Sequence, residues 1–324
     1  MFWYVTSPFA EPLIPRMPEM HIPDGFLSIA VSLVCWALTV SLLAVAVRRT
    51  QAAFGERQIP LMGIMAAFIF AAQMINFPVA GGTSGHLLGG ALAAITLGPW
   101  AAMLVMACVI GVQAVLFQDG GLVVMGANIL NMGLLTAMVG YGVYRSVIGR
   151  PQGLRLLVAG IAAWLSVMTG ALTTAIQLWL SGTSPLAVVL PAMLGVHALI
   201  GVGEALITVA AVSFIERTRP DLLENGAQPA RGGRGWIAAG LGIALLVAVF
   251  SPLASADPDG LERVAKNAGF LSKGQAPSFA IIPDYTMPFL GATPASTIVA
   301  GVIGALVVFA ILYTLARALR SRTA

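Results

Sequence analysis

Charged residues are scarce in this sequence, and their scarcity excludes a water-soluble fold. Asp, Glu, Lys and Arg make up 9% of the 324 residues, whereas a soluble domain carries about 25%. The formal net charge is only +4, and the basic residues lie between apolar runs instead of clustering on one face. This distribution does not fit a nucleic-acid-binding surface, so no nucleic-acid partner is expected.

Cysteines and the common catalytic motifs are also rare or missing. The two cysteines, Cys35 and Cys108, lie inside apolar runs, which favours small buried hydrophobic residues over a disulfide framework or a cysteine zinc site. The sequence has no Gly-x-x-x-x-Gly-Lys-[Ser/Thr] loop, no Gly-x-Ser-x-Gly elbow and no His-Glu-x-x-His helix. We therefore expect no enzyme activity, and energy from ATP would have to come from another chain.

Long apolar runs dominate what is present, since 58% of the residues are hydrophobic. Helix is the expected structure, because unpaired backbone groups in lipid cost several kcal/mol and continuous apolarity does not fit a barrel. The predicted fold is an all-α polytopic membrane protein, with a seven-helix unit before a two-helix C-terminal unit that has an extracytoplasmic loop. The predicted helices are Ser28–Val47, Pro60–Phe77, a shorter Leu87–Leu97, Ala101–Phe117, Leu122–Tyr144, Leu156–Leu180, Leu186–Ile215, Trp236–Ala254 and Thr297–Leu315.

The basic residues predict the orientation. If all nine segments cross, 13 of the 17 Lys and Arg residues fall in loops on one side, and short cytoplasmic loops are enriched in these residues. The N-terminus is then outside, and so is the region from Ser255 to Ser296. The stretch 220–235, which is rich in Pro, Gly and Arg, is predicted to be a cytoplasmic linker between domains 20–219 and 236–324.

The first 19 residues do not fit a signal peptide. They contain four prolines and no basic segment before an apolar core. A second methionine, Met20, opens Met20-His21-Ile22-Pro23-Asp24-Gly25 directly before the first predicted helix. We expect that residues 1–19 are not translated or are removed, so that Met20 begins the mature chain.

Histidine is rare, and its positions suggest a metal site. His21 and His86 are predicted on the outer side, while His197 lies in the seventh helix. A free amine on Met20, the next amide nitrogen and the His21 imidazole would form consecutive chelate rings, and His86 could supply a fourth nitrogen. Such a planar donor set favours nickel or copper and accommodates cobalt. A structural hydrogen bond remains the alternative for each histidine.

A few polar residues lie in or beside the predicted helices. Glu204 is seven residues from His197, on the same helix face, which fits either support of the cavity or a hydrogen bond between helices. Asn128 and Asn131 are typical of amides that join helices. Asp119, near the expected position of His86, fits a turn or an outer carboxylate. These five residues are candidates for a second shell or a metal pathway.

Five ordered motifs stand out along the chain: Met20-His21-Ile22-Pro23-Asp24-Gly25-Phe26-Leu27, Asn76-Phe77-Pro78 with Gly81-Gly82-Thr83-Ser84-Gly85-His86-Leu87-Leu88-Gly89-Gly90, Asp119-Gly120-Gly121, Gly126-Ala127-Asn128-Ile129-Leu130-Asn131-Met132-Gly133 and Gly203-Glu204-Ala205-Leu206. Together these motifs resemble the CbiM/NikM family, the substrate-binding membrane components of energy-coupling-factor (ECF) transporters for cobalt and nickel. The resemblance covers about Met20 to Arg219. The tail resembles a fused NikN/CbiN-like PDGLE domain through Asp257-Pro258-Asp259-Gly260-Leu261-Glu262.

The resemblance implies a function and a ligand set. It implies import of Co²⁺ or Ni²⁺ across the cytoplasmic membrane of a prokaryote, for cobalamin synthesis or nickel enzymes, with Met20, His21 and His86 as metal ligands. It also implies a CbiQ/NikQ-like coupling protein and a CbiO/NikO-like ATPase as partners, a tail that assists metal loading, and no permanently bound cofactor.

Two alternatives stay open at this stage. One is an ion-coupled metal permease that acts alone, and the other is an intramembrane enzyme that uses His197 and Glu204. The choice between cobalt and nickel also stays open, because both accept nitrogen ligands.

Overall fold

The computed structural model describes residues 21–52, 58–220, 223, 235–277 and 279–321. Residues 1–19, Met20 and most of the predicted linker lie outside the described residues. The elements, in chain order, are α1 Ile29–Ala52, α2 Gln58–Gln73, β1 Phe77–Val79, β2 Thr83–Gly85, α3 Gly90–Leu97, α4 Pro99–Val112, α5 Met125–Asn128, α6 Thr136–Tyr144, α7 Gln152–Leu180, α8 Leu186–Thr218, α9 Gly235–Val249, α10 Gly260–Asn267 and α11 Pro294–Ser321.

All nine predicted segments contain helix, which confirms the all-α membrane fold, but they are not nine equal spans. Within the described residues, six helices are long and apolar enough to cross a membrane. The second segment is the shorter α2, with 16 residues. The fifth segment is divided into α5, a π-helical stretch Ile129–Leu135 and α6. A second π-helical stretch, Gln113–Phe117, ends α4.

The third predicted segment is only partly helical, because α3 has eight residues and is about 12 Å long. It begins beside Glu204, near the middle of α8, and ends at Gly98, which shares a small pocket with Tyr144 and Arg155. Residues 83–97 are all buried. Non-helical backbone at membrane depth is tolerated only when protein encloses it. Protein therefore encloses both α3 and the loop before it.

Two features were not predicted from the sequence. The strands β1 and β2 form a short antiparallel hairpin in which Pro78 pairs with Ser84, directly before His86. The loop after α9 contains the amphipathic helix α10, and Asp259 caps it by accepting a hydrogen bond from the Glu262 amide at 2.6 Å.

The two long C-terminal helices, α9 and α11, pack against the preceding helices mainly through α2, which contacts both of them. Glycines permit the close approach. A Cβ atom on Gly304 would lie 2.1 Å from the Phe70 ring, and one on Gly63 would lie 2.9 Å from Phe309. Small residues at helix contacts let the backbones come together where no hydrophobic effect drives association in lipid.

Candidate metal centre

The segment that begins at His21 is fixed to the bundle by its backbone. The Ile22 amide donates to the Asn128 side-chain oxygen, and the Asn128 side-chain amide donates to the Ile22 carbonyl, both at 3.0 Å. The Gly121 amide also donates to the Ile22 carbonyl at 3.0 Å. Asn128 is 1% exposed, so no water competes for these bonds. The residue after His21 therefore has a defined position.

Asp24 secures the other end of this segment. Its carboxylate accepts hydrogen bonds from the backbone amides of Leu122, Val123 and Val124, at 2.9 to 3.2 Å. These amides precede α5, where a negative charge is favourable. A Cβ atom on Gly121 would lie 2.1 Å from Asp24 Oδ1. The Asp119-Gly120-Gly121 motif is thus the surface onto which His21-Ile22-Pro23-Asp24 docks.

The His21 ring is buried and held at one nitrogen. His21 Nδ1 donates to Asp119 Oδ1 at 2.9 Å, and His21 is 1% exposed. A proton on Nδ1 places the lone pair on Nε2. His21 Nε2 is buried and has no hydrogen-bond partner among the described residues. An imidazole nitrogen that carries a lone pair can accept a hydrogen bond or bind a metal ion.

The pKa of Asp119 follows from its neighbours. Burial alone would raise the pKa of this carboxyl, but the His21 ring and the Tyr285 hydroxyl outweigh burial and hold the pKa of Asp119 below its usual value. Asp119 therefore carries a negative charge beside His21. It is a buried partner of His21, not a solvated turn residue.

His86 is presented by a loop that Glu204 and Gln73 hold. The Glu204 carboxylate accepts from the Leu88 amide at 2.6 Å and the Gly89 amide at 2.9 Å. The Gln73 side-chain amide donates to the Leu88 carbonyl at 2.9 Å. His86 Nδ1 donates to the Leu87 carbonyl at 3.0 Å, which again leaves the lone pair on Nε2. Glu204 thus supports the His86 loop, and each of its oxygens accepts one backbone amide.

The two histidines meet at one cavity. The centroids of the His21 and His86 rings are 6.2 Å apart, with 29° between the ring planes. Metal–imidazole bonds are about 2.0–2.1 Å long, so two rings that share an ion have centroids up to about 6 Å apart. The cavity has a volume of about 60 Å³, enough for an ion and little else. Its polar walls are His21, His86, Asn128, Asn131, Thr174, His197 and Asp259.

His197 and Asn131 line this cavity but have other partners. His197 Nδ1 donates to the Met193 carbonyl at 2.8 Å, one turn back in α8. The Asn131 side chain donates to Thr174 and Gln177 of α7, and the Gln177 amide donates back to Asn131 at 2.9 Å. Asn131 and Gln177 therefore join π-helical backbone to α7, which is the role typical of such amides. Glu204 bonds to the Leu88–Gly89 backbone and not to His197, which leaves the acid–base pair of the enzyme alternative without support.

The C-terminal unit contributes to the same cavity. Asp259, Gly260 and Leu261 form part of its wall, and a Cβ atom on Gly260 would lie 2.9 Å from the His197 ring. Asp259 is 4% exposed, and burial raises its pKa to about 7 although the Glu262 amide opposes the shift. Asp259 is therefore a buried cap at the cavity wall and not a solvated turn residue.

The same unit clamps the hairpin that precedes His86. The Ser84 amide donates to the Pro258 carbonyl at 2.9 Å, and the Ser84 hydroxyl donates to the Asp257 carbonyl at 2.7 Å. The Arg263 guanidinium donates to the Thr83 hydroxyl and to the carbonyls of Gly81 and Gly82. The loop after α9 thus covers the cavity and holds the hairpin beside it.

Sequence reasoning did not find Tyr285, a second partner of Asp119. The Tyr285 hydroxyl donates to Asp119 Oδ2 at 2.7 Å, and both residues are buried. Tyr285 lies 166 positions from Asp119 in the sequence, and no local motif links the two. The described residues contain no cluster of three or more His, Cys, Asp or Glu side chains with metal-binding geometry, and Met20 lies outside them.

Family profiles and known proteins match both parts of the chain. The profile of CbiM, the cobalt uptake substrate-specific transmembrane region, matches residues 21–222, and the PDGLE domain profile matches residues 234–321. The chain belongs to the CbiM family. Its resemblance to that family, first noted in the motifs, is thereby confirmed.

Relatives of this CbiM-family chain include fused and unfused proteins. It is 38% identical to a putative fused nickel transport protein NikMN of Archaeoglobus fulgidus, over 93% of this chain and 100% of that protein. It is 34% identical to the cobalt transport protein CbiM of Sorangium cellulosum, over 64% of this chain and 95% of the relative. A crystal structure of a transition metal transporter matches with a TM-score of 0.55 and 36% identity, over 64% of this chain and 95% of the other.

Proposed function

We propose that this chain is the substrate-binding membrane component of an ATP-driven ECF-type importer, and that it captures Co²⁺ or Ni²⁺ from the outer side. The observation that carries the proposal is the meeting of His21 and His86, 65 positions apart, at one small buried cavity. Imidazole is a ligand that both metals accept. The Asp119 carboxylate beside His21 favours a divalent cation over an anion.

The proposed ligands are the Met20 amine, the His21 amide and imidazole, and the His86 imidazole. A chelate that joins the amide and the imidazole of one residue uses Nδ1, because only that nitrogen closes a six-membered ring. In the structure His21 Nδ1 faces Asp119. We propose that the His21 side chain reorients about both its Cα–Cβ and Cβ–Cγ bonds when metal binds, so that Nδ1 faces the ion and Nε2 faces Asp119. Asp119 then accepts a hydrogen bond from Nε2, and it still orients the ring from the side opposite the metal.

The ends of the helices support the proposed orientation. Arg155 at the start of α7 forms a 3.0 Å ion pair with Glu216 near the end of α8, and Arg145 and Arg217 fall at the same end of the bundle by chain direction. An end rich in arginine fits the cytoplasm, so the His21 cavity faces outward. Because the sequence lacks a P-loop, a CbiQ/NikQ-like coupling protein and a CbiO/NikO-like ATPase would supply the energy.

Metal titration of the chain that begins at Met20 tests the proposal. The metal-depleted protein is placed in nanodiscs and titrated with Ni²⁺ and Co²⁺ in a calorimeter. We expect sub-micromolar binding with one ion per chain for the wild type and for His197→Asn, and no such binding for His86→Ala. His197→Asn is the matched control, since it removes the third histidine from the cavity wall. Equal binding by wild type and His86→Ala would refute the proposed site.

Uptake experiments test the energy source. Cells that express this chain with the coupling protein and the ATPase should accumulate radioactive Ni²⁺ or Co²⁺, and cells that express an ATPase inactive in nucleotide hydrolysis should not. Accumulation by the chain alone would instead support the self-sufficient permease.

A further inference from the structure

We propose that Tyr285 of the C-terminal unit is a positioning residue of the metal site, because its hydroxyl fixes the carboxylate that fixes His21. The inference rests on the proposed function, since it takes His21 as a metal ligand. It assigns to the fused unit a direct connection with the metal ligand itself, in addition to its place at the cavity wall.

The connection consists of two hydrogen bonds to one carboxylate. Tyr285 donates to Asp119 Oδ2 at 2.7 Å, and His21 donates to Asp119 Oδ1 at 2.9 Å. His21 is 1% exposed, Asp119 5% and Tyr285 2%. Because each oxygen has a separate donor, the carboxylate cannot rotate without breaking a buried hydrogen bond. Such a bond to an ionised group is stronger than one between neutral groups.

Tyr285 is itself held firmly. Its ring stacks on Phe117, with centroids 4.7 Å apart and 16° between the planes. It also packs edge-to-face with the Phe70 ring, with centroids 6.2 Å apart. The Ile282 amide donates to the Leu116 carbonyl at 2.9 Å, which fixes the backbone just before the Pro283–Tyr285 turn. Tyr285 also has a positive φ of 54°, a conformation that a bulky residue adopts only when its surroundings demand it.

The ring and the hydroxyl of Tyr285 make different contacts, so their effects can be separated by mutation. Phe117 and Phe70 bind the ring, and a phenylalanine at position 285 would keep those contacts. Asp119 binds only the hydroxyl. If Tyr285 were merely a packing residue, loss of the hydroxyl would leave the affinity for the metal and its dissociation rate unchanged. If it positions His21 through Asp119, loss of the hydroxyl removes a hydrogen bond from the carboxylate and loosens the imidazole.

The decisive variant is Tyr285→Phe in the chain that begins at Met20, in nanodiscs, with Ni²⁺ as the probe. Tyr313→Phe is the matched control, since Tyr313 stacks on Phe309 in α11, away from the cavity. Three quantities are measured: the Ni²⁺ dissociation rate after addition of a chelator, the Ni²⁺ affinity, and the visible absorption spectrum of the bound ion. Thermal unfolding of the metal-free proteins reports whether the variants fold.

We expect Tyr285→Phe to weaken Ni²⁺ binding about tenfold or more, mainly through faster dissociation, and to shift the absorption band. Losses of about 10- to 100-fold are usual when the hydrogen-bond partner of a metal ligand is removed. Tyr313→Phe should match the wild type in all three quantities. A Tyr285→Phe protein that binds, releases and absorbs as the wild type does would overturn the inference while leaving the proposed function intact. Failure of the wild type itself to bind Ni²⁺ would contradict both the inference and the proposed function.

A second measurement does not depend on any variant at position 285. The chain has three histidines, so side-chain ¹⁵N spectra of the metal-free protein can resolve each ring, with His197→Asn to assign one of them. We expect His21 to carry its proton on the nitrogen that faces Asp119, and the Tyr285 hydroxyl proton to be strongly protected from exchange. A His21 ring that samples both tautomers, with a freely exchanging Tyr285 hydroxyl, would contradict the inference.

Discussion

Asn128 and Ile22 exchange two hydrogen bonds, each 3.0 Å long, between a side-chain amide and a peptide backbone. The pairing imitates a pair of strand hydrogen bonds and holds the backbone immediately after His21. Because the bonds involve the backbone of Ile22, they depend on the position of the chain and not on the Ile22 side chain. Four predictions follow from this and related contacts.

Replacement of Asn128 by Ala should weaken metal binding about tenfold or more. It leaves the Ile22 amide without its acceptor, and a buried unpaired group costs about 1–3 kcal/mol. Ni²⁺ titration and amide exchange at Ile22 measure the effect. Thr173→Ala is the control, since the Thr173 hydroxyl bonds only to the Thr169 carbonyl within α7, and its affinity should stay at the wild-type value. Unchanged exchange at Ile22 in Asn128→Ala would contradict the prediction.

Blocking the amine of Met20 should abolish planar coordination. Acetylation of the Met20 amine converts it to an amide, supplies no new terminal amine and leaves every described residue in place. Square-planar Ni²⁺ is diamagnetic, so magnetic susceptibility or paramagnetic NMR shifts of the loaded protein report the coordination directly. We expect a diamagnetic site in the chain that begins at Met20 and weak or no binding after acetylation. Equal affinity and magnetism in the two chains would show that the amine is not a ligand.

The variant Glu204→Gln should lower both stability and metal affinity. The NH2 group of the glutamine side-chain amide cannot accept a hydrogen bond from the Leu88 or Gly89 backbone amide, so one buried donor loses its partner at a cost of about 1–3 kcal/mol. The His86 loop then loosens. Glu216→Gln, at the end of α8 near Arg155, is the control: its thermal stability can fall, but its Ni²⁺ affinity should not. An affinity loss of equal size in both variants would indicate a global effect and refute a specific role for Glu204.

Alanine in place of Gly121 should prevent docking of the N-terminal segment. The added Cβ would lie 2.1 Å from Asp24 Oδ1 and 2.3 Å from the Asp24 amide nitrogen, too close for either to remain. Gly111→Ala is the control, because an added Cβ there meets nothing within 4 Å, and alanine favours a helix. Protease cleavage near residue 21 should accelerate in Gly121→Ala and not in Gly111→Ala. Equal cleavage rates would contradict the packing described for this motif.

The agreement between sequence and structure differs from element to element. The long helices α7 and α8 follow from continuous apolarity alone, because the membrane leaves few other structures for such a segment. Helix α3 was overestimated, since apolarity does not distinguish a buried extended loop from a helix. The π-helical stretch Ile129–Leu135 was also missed. Asn131 lies within it and forms hydrogen bonds with Gln177 of α7, a contact between helices that the local sequence does not specify.

The candidate site was likewise only partly predictable from the sequence. The rarity of histidine and the grouping of His21 and His86 on one predicted side were enough to suggest that they act together, and the structure has their ring centroids 6.2 Å apart. The partners of each ring could not be obtained in this way. Asp119 was one of several candidates, and Tyr285 was not among them, because nothing near either residue in the chain specifies a contact across 166 positions.

The sequence by itself determined that the chain lies in a membrane, which parts are helical, and which rare side chains are able to bind a metal. These properties depend on composition and on spacing along one segment, where the physics is local. Only the tertiary structure decided which carboxylate holds His21, which residue holds the His86 loop, and how the C-terminal unit reaches the cavity. Those contacts join distant segments, and their selection depends on the burial of polar groups that must each find a partner.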